Sequence, residues 1–418
     1  MRQANQDDSG AVAYVTKAVS TLTLGTTSAS SSVPAPLSRH HERALTQILW
    51  HVAEHEPLTE RDWDPALAGE AIRAIMADAE AAETDGGWPG HPLDDVEADR
   101  HLCSLYLGGA GMTWALSALG SSLDAPAAIE AALRRYRVAP DFFEPHAPSL
   151  LLGETGVLVV AGRLGAGAAD PDRLRELVRS NREHPTWELM WGSPGTILAA
   201  RACGLEDEWR ESAEMLYARW EESSDMWTGE LYGGPQDYLG PVHGCAGNVH
   251  ALRGFVGDEV LRARVARLLT RTAVREDRLV NWPPRDRPLS EEAAKMRVQW
   301  CHGAPGLVGT LGDLMPLELA VGGGELTWRA GPLCKGPGLC HGTAGNGFAL
   351  LRLHELTGDP VWLERARRFA MHAIEQVESE RAALGRGRYT LFTGDVGVAL
   401  YLRACLDAVP GFPILEAL

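Results

Sequence analysis

Apolar residues in this chain come in short dense runs, each following a Gly-x-x-Gly. M-T-W-A-L-S-A-L follows Gly111, N-G-F-A-L-L-R-L follows Gly345, and V-A-L-Y-L follows Gly397. Runs that are apolar nearly all round predict helices buried on most faces. Between them lie stretches with one apolar stripe and one charged face: Pro171 to Arg182, Glu206 to Trp220, Glu259 to Thr272 and Pro360 to Val377. These predict outer helices with one wet side.

The Gly-x-x-Gly beat occurs seven times, beginning at Gly108, Gly153, Gly192, Gly244, Gly303, Gly342 and Gly394. Successive spacings are 45, 39, 52, 59, 39 and 52 residues. Each interval leaves room for two helices and two loops, and a repeat of this kind dictates the fold. Seven alternations of inner and outer helix predict an all-α protein, an α/α toroid in which seven helical hairpins close a double ring. An open superhelix would show the same alternation but normally carries polar caps at its ends. In a closed ring the inner helices run the same way and their N-termini meet on one rim. Unpaired amides and helix dipoles are expected to make that rim suited to a thiolate, a carboxylate or an enolate. Chemistry is therefore expected in the loops just before each beat.

Residues 21–38 are rich in Ser, Thr and Ala and have no helical stripe. Residues 1–38 are expected to form a disordered tail, with a docking arm as the alternative, and 39–418 to form the toroid. Over all 418 residues, 45% are hydrophobic, which fits a globular chain. The 39 basic and 56 acidic residues give a net charge of −17. Such a chain repels phosphates and anionic lipid, so neither nucleic acid nor membrane is an expected partner. No run of eighteen apolar residues is present, a secretory signal is not expected, and the seven cysteines lack small-domain disulfide spacing. A reduced, cytoplasmic protein is the simplest expectation.

Two of the beat loops carry the same pair. Cys301-His302 precedes Gly303, Cys340-His341 precedes Gly342, and His243 precedes Gly244. Aligned by their glycines, the two cysteines share one register and the three histidines another. Soft sulfurs with imidazole on neighbouring elements suit Zn2+, and three protein ligands leave one position open, the mark of a catalytic zinc. A buried cysteine and a core histidine explain one such pair as well; two in register argue against that. Cys334 lies outside the register. Cys103, Cys203, Cys245 and Cys405 read as core or helix residues, and His40, His41, His51 and His55 as the wet face of an outer helix. Glu154 and Asp395 sit inside beats two and seven, too far apart in ring order for a glycosidase pair, and read as helix-start charges. A prenyl-transferring ring would lack the Gly-x-x-Gly register.

The blocks W-C-H-G-A-P-G at Trp300 to Gly306, C-H-G-T-A-G-N-G at Cys340 to Gly347 and Y-L-G-P-V-H-G-C-A-G at Tyr238 to Gly247 resemble the lanthionine synthetase C family. The likeness covers roughly residues 40–418, and the family fold is an α/α toroid of seven hairpins. The resemblance implies that Cys301, Cys340 and His341 bind zinc, that His243 acts as acid or base, and that Arg297 supports the site. It implies addition of a cysteine thiol to dehydroalanine or dehydrobutyrine, a lanthionine-forming cyclisation in lanthipeptide biosynthesis. LanC-like relatives instead add glutathione to dehydrated residues in proteins. Ser149 stands where the dedicated cyclases carry an aspartate, and His302 where they usually carry tyrosine; with K-G-P-G-L-C-H-G at Lys335, both departures lean toward the LanC-like branch.

The expected substrate is thus a dehydrated peptide, or glutathione with a dehydrated protein, and a dehydratase or kinase-like enzyme is a candidate partner. His243 or His302 is expected to deliver the proton that completes the addition, with His243 favoured by the resemblance. The alternative for His302 is orienting a ligand. Lys335 either attracts an acidic part of the substrate or is a solvated surface lysine. A reading from another class is a non-catalytic, zinc-containing peptide-binding scaffold.

Overall fold

A computed structural model describes residues 49–142, 147–231 and 233–416. The expected tail at 1–38, and His40 and His41, lie outside the described residues.

In chain order the helices are α1 (Pro65–Ala82), α2 (Gly109–Leu119), α3 (Ala125–Val138), α4 (Glu154–Arg163), α5 (Pro171–Ser180), α6 (Ser193–Ala202), α7 (Glu206–Ala218), α8 (Cys245–Ala251) and α9 (Asp258–Thr272). They continue as α10 (Leu289–Glu292), α11 (Ala304–Leu311), α12 (Leu317–Ala330), α13 (Thr343–Thr357), α14 (Pro360–Leu384) and α15 (Asp395–Asp407). The members α2, α4, α6, α8, α11, α13 and α15 each begin directly after the first glycine of a beat. Each packs on the next, and α15 returns to α2, so the inner ring is closed. Outside it, α1 packs against both α15 and α14 and seals the outer layer at the same seam. The all-α toroid expected from the repeat is what the chain forms.

Burial follows the pattern of the sequence. All eight residues of α11 are buried, whereas α5 buries Leu174, Leu177 and Val178 and leaves its charged face in water. The outer helices α1, α3, α5 and α14 start with an aspartate, Asp64, Asp124, Asp170 or Asp359, whose carboxylate accepts a first-turn amide. The proline found in each of these first turns suits helix initiation.

Inner helices start differently, and here one expectation fails. Their caps are glycines without side-chain bonds, but the preceding loop doubles back beneath the helix. Its carbonyls take the first amides: Gly109 N–H to Leu102 O at 2.9 Å, Cys245 to Tyr238 at 2.9 Å, Thr343 to Gly336 at 3.1 Å and Asp395 to Arg388 at 2.9 Å. At these helices the expected row of unpaired amides is already satisfied. The close approach explains the second glycine of each beat. A Cβ on Gly306 would collide with the Trp300 carbonyl, and one on Gly345 with the Leu339 carbonyl.

The loops are also joined to one another. Two residues before the first glycine of each beat stand Tyr106, Leu151, Met190, Val242, Cys301, Cys340 and Phe392. Backbone amides link these positions from loop to loop: Tyr106 to Leu151 at 2.8 Å, Met190 to Val242 at 3.2 Å, Cys301 to Cys340 at 3.0 Å, Cys340 to Phe392 at 2.9 Å and Phe392 to Tyr106 at 3.4 Å. Between loops two and three the Ser149 hydroxyl makes the link, donating to the Met190 carbonyl at 2.5 Å.

The longest intervals hold structure that the helical pattern did not predict. One two-stranded hairpin pairs β1 (Gly229–Leu231) with β2 (Gly234–Gln236), and another pairs β3 (Val274–Glu276) with β4 (Leu279–Asn281). His51 and His55 are not on an outer helix. They flank a single 3-10 turn at Val52–Glu54, and His55 pairs with Leu333 in an isolated bridge, with Nδ1 2.9 Å from Gly331 O. Pro57 bars continuation of a helix there. Glu154 and Asp395 do open inner helices, but each also makes an ion pair with an outer helix, to Arg173 and Arg381, both at 2.8 Å. No described helix is long and apolar enough to cross a membrane.

Candidate metal centre

The linked loops bring the two cysteine–histidine pairs side by side. One ligand atom from each of Cys301, Cys340 and His341 lies within 4.8 Å of the other two, the one such group among the described residues. Both cysteines are buried and His341 is half-buried. Cys334, by contrast, is exposed and its sulfur points to the Ala53 carbonyl, in keeping with its place outside the register. The amide of Cys301 bonds the carbonyl of Cys340 at 3.0 Å, which fixes the two sulfur-bearing turns against each other. Two thiols and an imidazole at this spacing suit a soft divalent metal.

Charge is already distributed unevenly over the pair. Burial would raise the Cys301 thiol. Hydrogen bonds from Cys340 and His341 and the charges of His302 and His341 outweigh it and hold Cys301 well below the usual thiol range. Cys340 is held well above that range by its bond to Cys301, then by burial. The two thiols thus act on one another, and binding of a metal would release protons from the pair.

His243 stands beside this group with an unforeseen partner. Its Nδ1 is 2.8 Å from Glu188 Oε2, with both side chains buried. Glu188 is itself fixed by backbone amides, from Met190 to Oε2 at 3.0 Å and from Trp191 to Oε1 at 2.7 Å. Trp187, just before it, has φ of 44°, a strained conformation for a bulky residue. A carboxylate oxygen accepts here, so Nδ1 carries the hydrogen of this bond. Glu188 lies four residues before Gly192, the place in its loop that Ser149 holds one repeat earlier. The third loop thus carries a carboxylate at that place, while Ser149 bonds the second loop to the third.

His302 stacks near His243, with centroids 6.2 Å apart, and its ring lies 5.4 Å from that of Tyr238. Its Nδ1 is buried without a hydrogen-bond partner. Burial, opposed by Cys301 and reinforced by the charges of His243, Arg297 and Lys335, pulls its pKa down to about 4. Tyr238 in turn accepts a hydrogen bond from Arg285 at 3.2 Å, with the guanidinium over its ring.

Arg297 is not free to swing. Its Nε pairs with Glu54 at 3.3 Å, and Lys335 lies 3.7 Å from the other oxygen of the same carboxylate. Lys335 is 15% exposed and reaches the Gln299 side chain at 3.0 Å, so it is part of the site rather than a solvated lysine. The sequence-predicted residues Cys301, Cys340, His341, His243, His302 and Arg297 thus gather in one region. Glu188, Tyr238, Tyr106 and Gln299 join them.

Comparison with known proteins agrees with this arrangement. The profile of the lanthionine synthetase C-like protein family matches residues 94–413. Glutathione S-transferase LANCL1 of Danio rerio is 32% identical over 199 residues, 43% of this chain and 46% of that protein. LanC-like protein GCL1 of Arabidopsis thaliana is 40% identical over 112 residues, 24% of this chain and 25% of that protein. The aligned stretches therefore span less than half of each of these relatives. Among solved structures, nisin cyclase superposes with a TM-score of 0.52 at 15% identity, over 82% of this chain and 98% of that one, a likeness of fold. Given the extent of the family match, this chain belongs to the lanthionine synthetase C-like family.

Proposed function

We propose that this protein adds a thiol to a dehydroamino acid at a zinc ion held by Cys301, Cys340 and His341. The observation that carries the reading is the buried Cys-Cys-His group standing beside a histidine oriented by a carboxylate. The donor set fits zinc in type and number. When bound, zinc supplies the Lewis acidity that brings a thiol to its thiolate near neutral pH. The chain's own residues do the rest. His243 Nε2 accepts the proton of the incoming thiol, and Glu188 stabilises the imidazolium that results. The sulfur then forms its bond to the β-carbon, and the electron pair of the C=C bond moves toward the adjacent carbonyl. Arg297 and Lys335, the basic side chains of the site, would stabilise the enolate that develops. His243 returns its proton to the α-carbon, so atoms and charge balance. The paired His243 and Glu188 also favour catalysis over a scaffold that kept zinc for structure.

In the first form of this reading the thiol is a cysteine of the same dehydrated peptide, making the protein a lanthionine-forming cyclase. The fold shared with nisin cyclase supports it. In the second form the thiol is glutathione and the acceptor a dehydrated protein. The 32% identity to a relative named as a glutathione S-transferase favours that form. Either way an upstream dehydrating enzyme must supply the acceptor, so a dehydratase or kinase-like enzyme is the proposed partner, and the cytoplasm, where thiols stay reduced, the proposed compartment.

The test uses the zinc-loaded protein and two peptides. A dehydroalanine peptide with its own cysteine should lose its alkylatable thiol without change of mass if cyclisation is the activity. A cysteine-free dehydroalanine peptide given glutathione should gain the mass of one glutathione if the second form holds. No acceleration of either reaction by a protein with stoichiometric zinc would refute the proposal.

A further inference from the structure

Both sulfurs of the proposed metal centre are approached by a polar side chain outside the ligand set. Gln299 Nε2 donates to Cys301 Sγ at 2.9 Å, and the Tyr106 side chain lies against Cys340, close enough for its hydroxyl to act on that sulfur. The two side chains come from opposite directions in the sequence, the fifth loop and the first, and both residues are buried.

Each side chain is held in one orientation. Lys335 Nζ lies 3.0 Å from Gln299 Oε1. An ammonium has only donors, so it selects the amide oxygen and leaves Nε2 for the sulfur. Flipping the amide would set donor against donor on one side and oxygen against sulfur on the other. The turn carrying Gln299 is closed by reciprocal backbone bonds with His302, at 3.1 and 3.0 Å. Tyr106 lies flat on Phe392, with centroids 4.6 Å apart and planes 5° from parallel. The carbonyl of Phe392 accepts the amides of Leu339 and Cys340, so ring and sulfur share one support.

A hydrogen bond to a thiolate draws electron density from the sulfur, and less is then given to the metal. Two thiolates neutralise a divalent ion, so an incoming third thiolate leaves a net negative charge in a buried site. Donors on the resident sulfurs spread that charge. We infer that Tyr106 and Gln299, the latter oriented by Lys335, are positioning residues that tune the two ligand sulfurs and thereby the acidity the metal presents to an incoming thiol. The inference rests on the proposed zinc reading of the same cluster.

The full chain loaded with Co2+ provides the test, because the energy of the sulfur-to-cobalt charge-transfer band reports the electron density on sulfur. Tyr106→Phe removes one hydroxyl and keeps the ring stack. Gln299→Met keeps length and removes the donor. Each should move the band to lower energy, and the two together should move it further. Lys335→Met should move it less, in the same direction. A band unmoved in Tyr106→Phe and Gln299→Met, with one cobalt still bound per chain, overturns the inference and leaves the zinc reading standing. If Gln299→Met does not fold, Tyr106→Phe decides alone. A wild-type protein with no such band overturns the zinc reading and this inference with it.

Discussion

Glu188 accepts a hydrogen bond from His243 at 2.8 Å, joining the third loop of the ring to the fourth. That bond fixes the tautomer of His243, so removing the charge should disable proton transfer without touching the ligands. Glu188→Gln is expected to slow thiol addition by roughly 10²–10⁴-fold, the usual range for a positioned acid or base, with zinc content unchanged. His243→Asn should do the same, and the double variant should be little worse than either single one. Turnover assays with metal analysis on the same samples check this. Loss of zinc from His243→Asn would recast that residue as a ligand.

Cys301→Ala should lose tight zinc and thiol addition together. The group around it offers one sulfur and one imidazole once Cys301 is gone, too few for a retained ion. A variant that keeps stoichiometric metal and wild-type turnover would remove Cys301 from the ligand set.

Glu380 supplies a pH-dependent term. Burial, with the charges of Asp395 and Asp94 added and that of Arg388 opposed, pushes its carboxyl up to about 7, and its Oε2 is buried without a partner. The folded state then holds a proton that the unfolded chain releases near pH 4.5. Stability is fully present below that value and falls as pH rises through about 7. After discounting for its partial exposure, the loss is of order 1–3 kcal/mol. Glu380→Gln should therefore be near neutral at pH 4 and stabilising at pH 8. Urea melts across that range read the difference, and parallel curves for both proteins would count against the assignment.

Asp94 and Arg388 form a buried ion pair, with Nε to Oδ2 at 2.9 Å, and Thr393 adds a hydrogen bond to the same carboxylate at 2.8 Å. Both side chains are almost fully covered. Asp94→Ala leaves a guanidinium buried without its counter-charge and should cost about 3–5 kcal/mol. Asp94→Ala combined with Arg388→Met should recover part of that loss. The comparison of unfolding free energies decides whether the pair or the cavity dominates.

The ring and the ligand register were legible because the constraint behind them is steric and repeated. Gly306 and Gly345 must be glycine to clear a carbonyl six residues earlier, and that leaves a mark any reader of the sequence can count. Cys301 and Cys340 then stand out because they hold one position in two loops. Glu188 was missed for a local reason. A carboxylate is expected at the Ser149 position, and its place is apparent only when the residue four before the glycine is set side by side across all seven loops. That comparison gives Ser104, Ser149, Glu188, Gly240, Gln299, Gly338 and Thr390, among which Glu188 is the one acid. The hairpins at Gly229–Gln236 and Val274–Asn281 have strands of three residues, too short for alternation to register. The paired amides under the inner helices depend on how the loops fold back, which the helical pattern does not encode.

The bond from Phe392 to Tyr106 joins the seventh loop to the first, and Cys340 leans on both partners. Neither metal-binding turn is therefore complete within its own repeat, although both cysteines lie on adjacent repeats. A fragment holding Cys301 and Cys340 alone keeps the right sulfurs but forfeits the seam that clamps one of them. Ion capture should accordingly come late in folding, once head and tail of the toroid have met. Anything that prises that seam apart would then act on the chemistry from the far side of the ring.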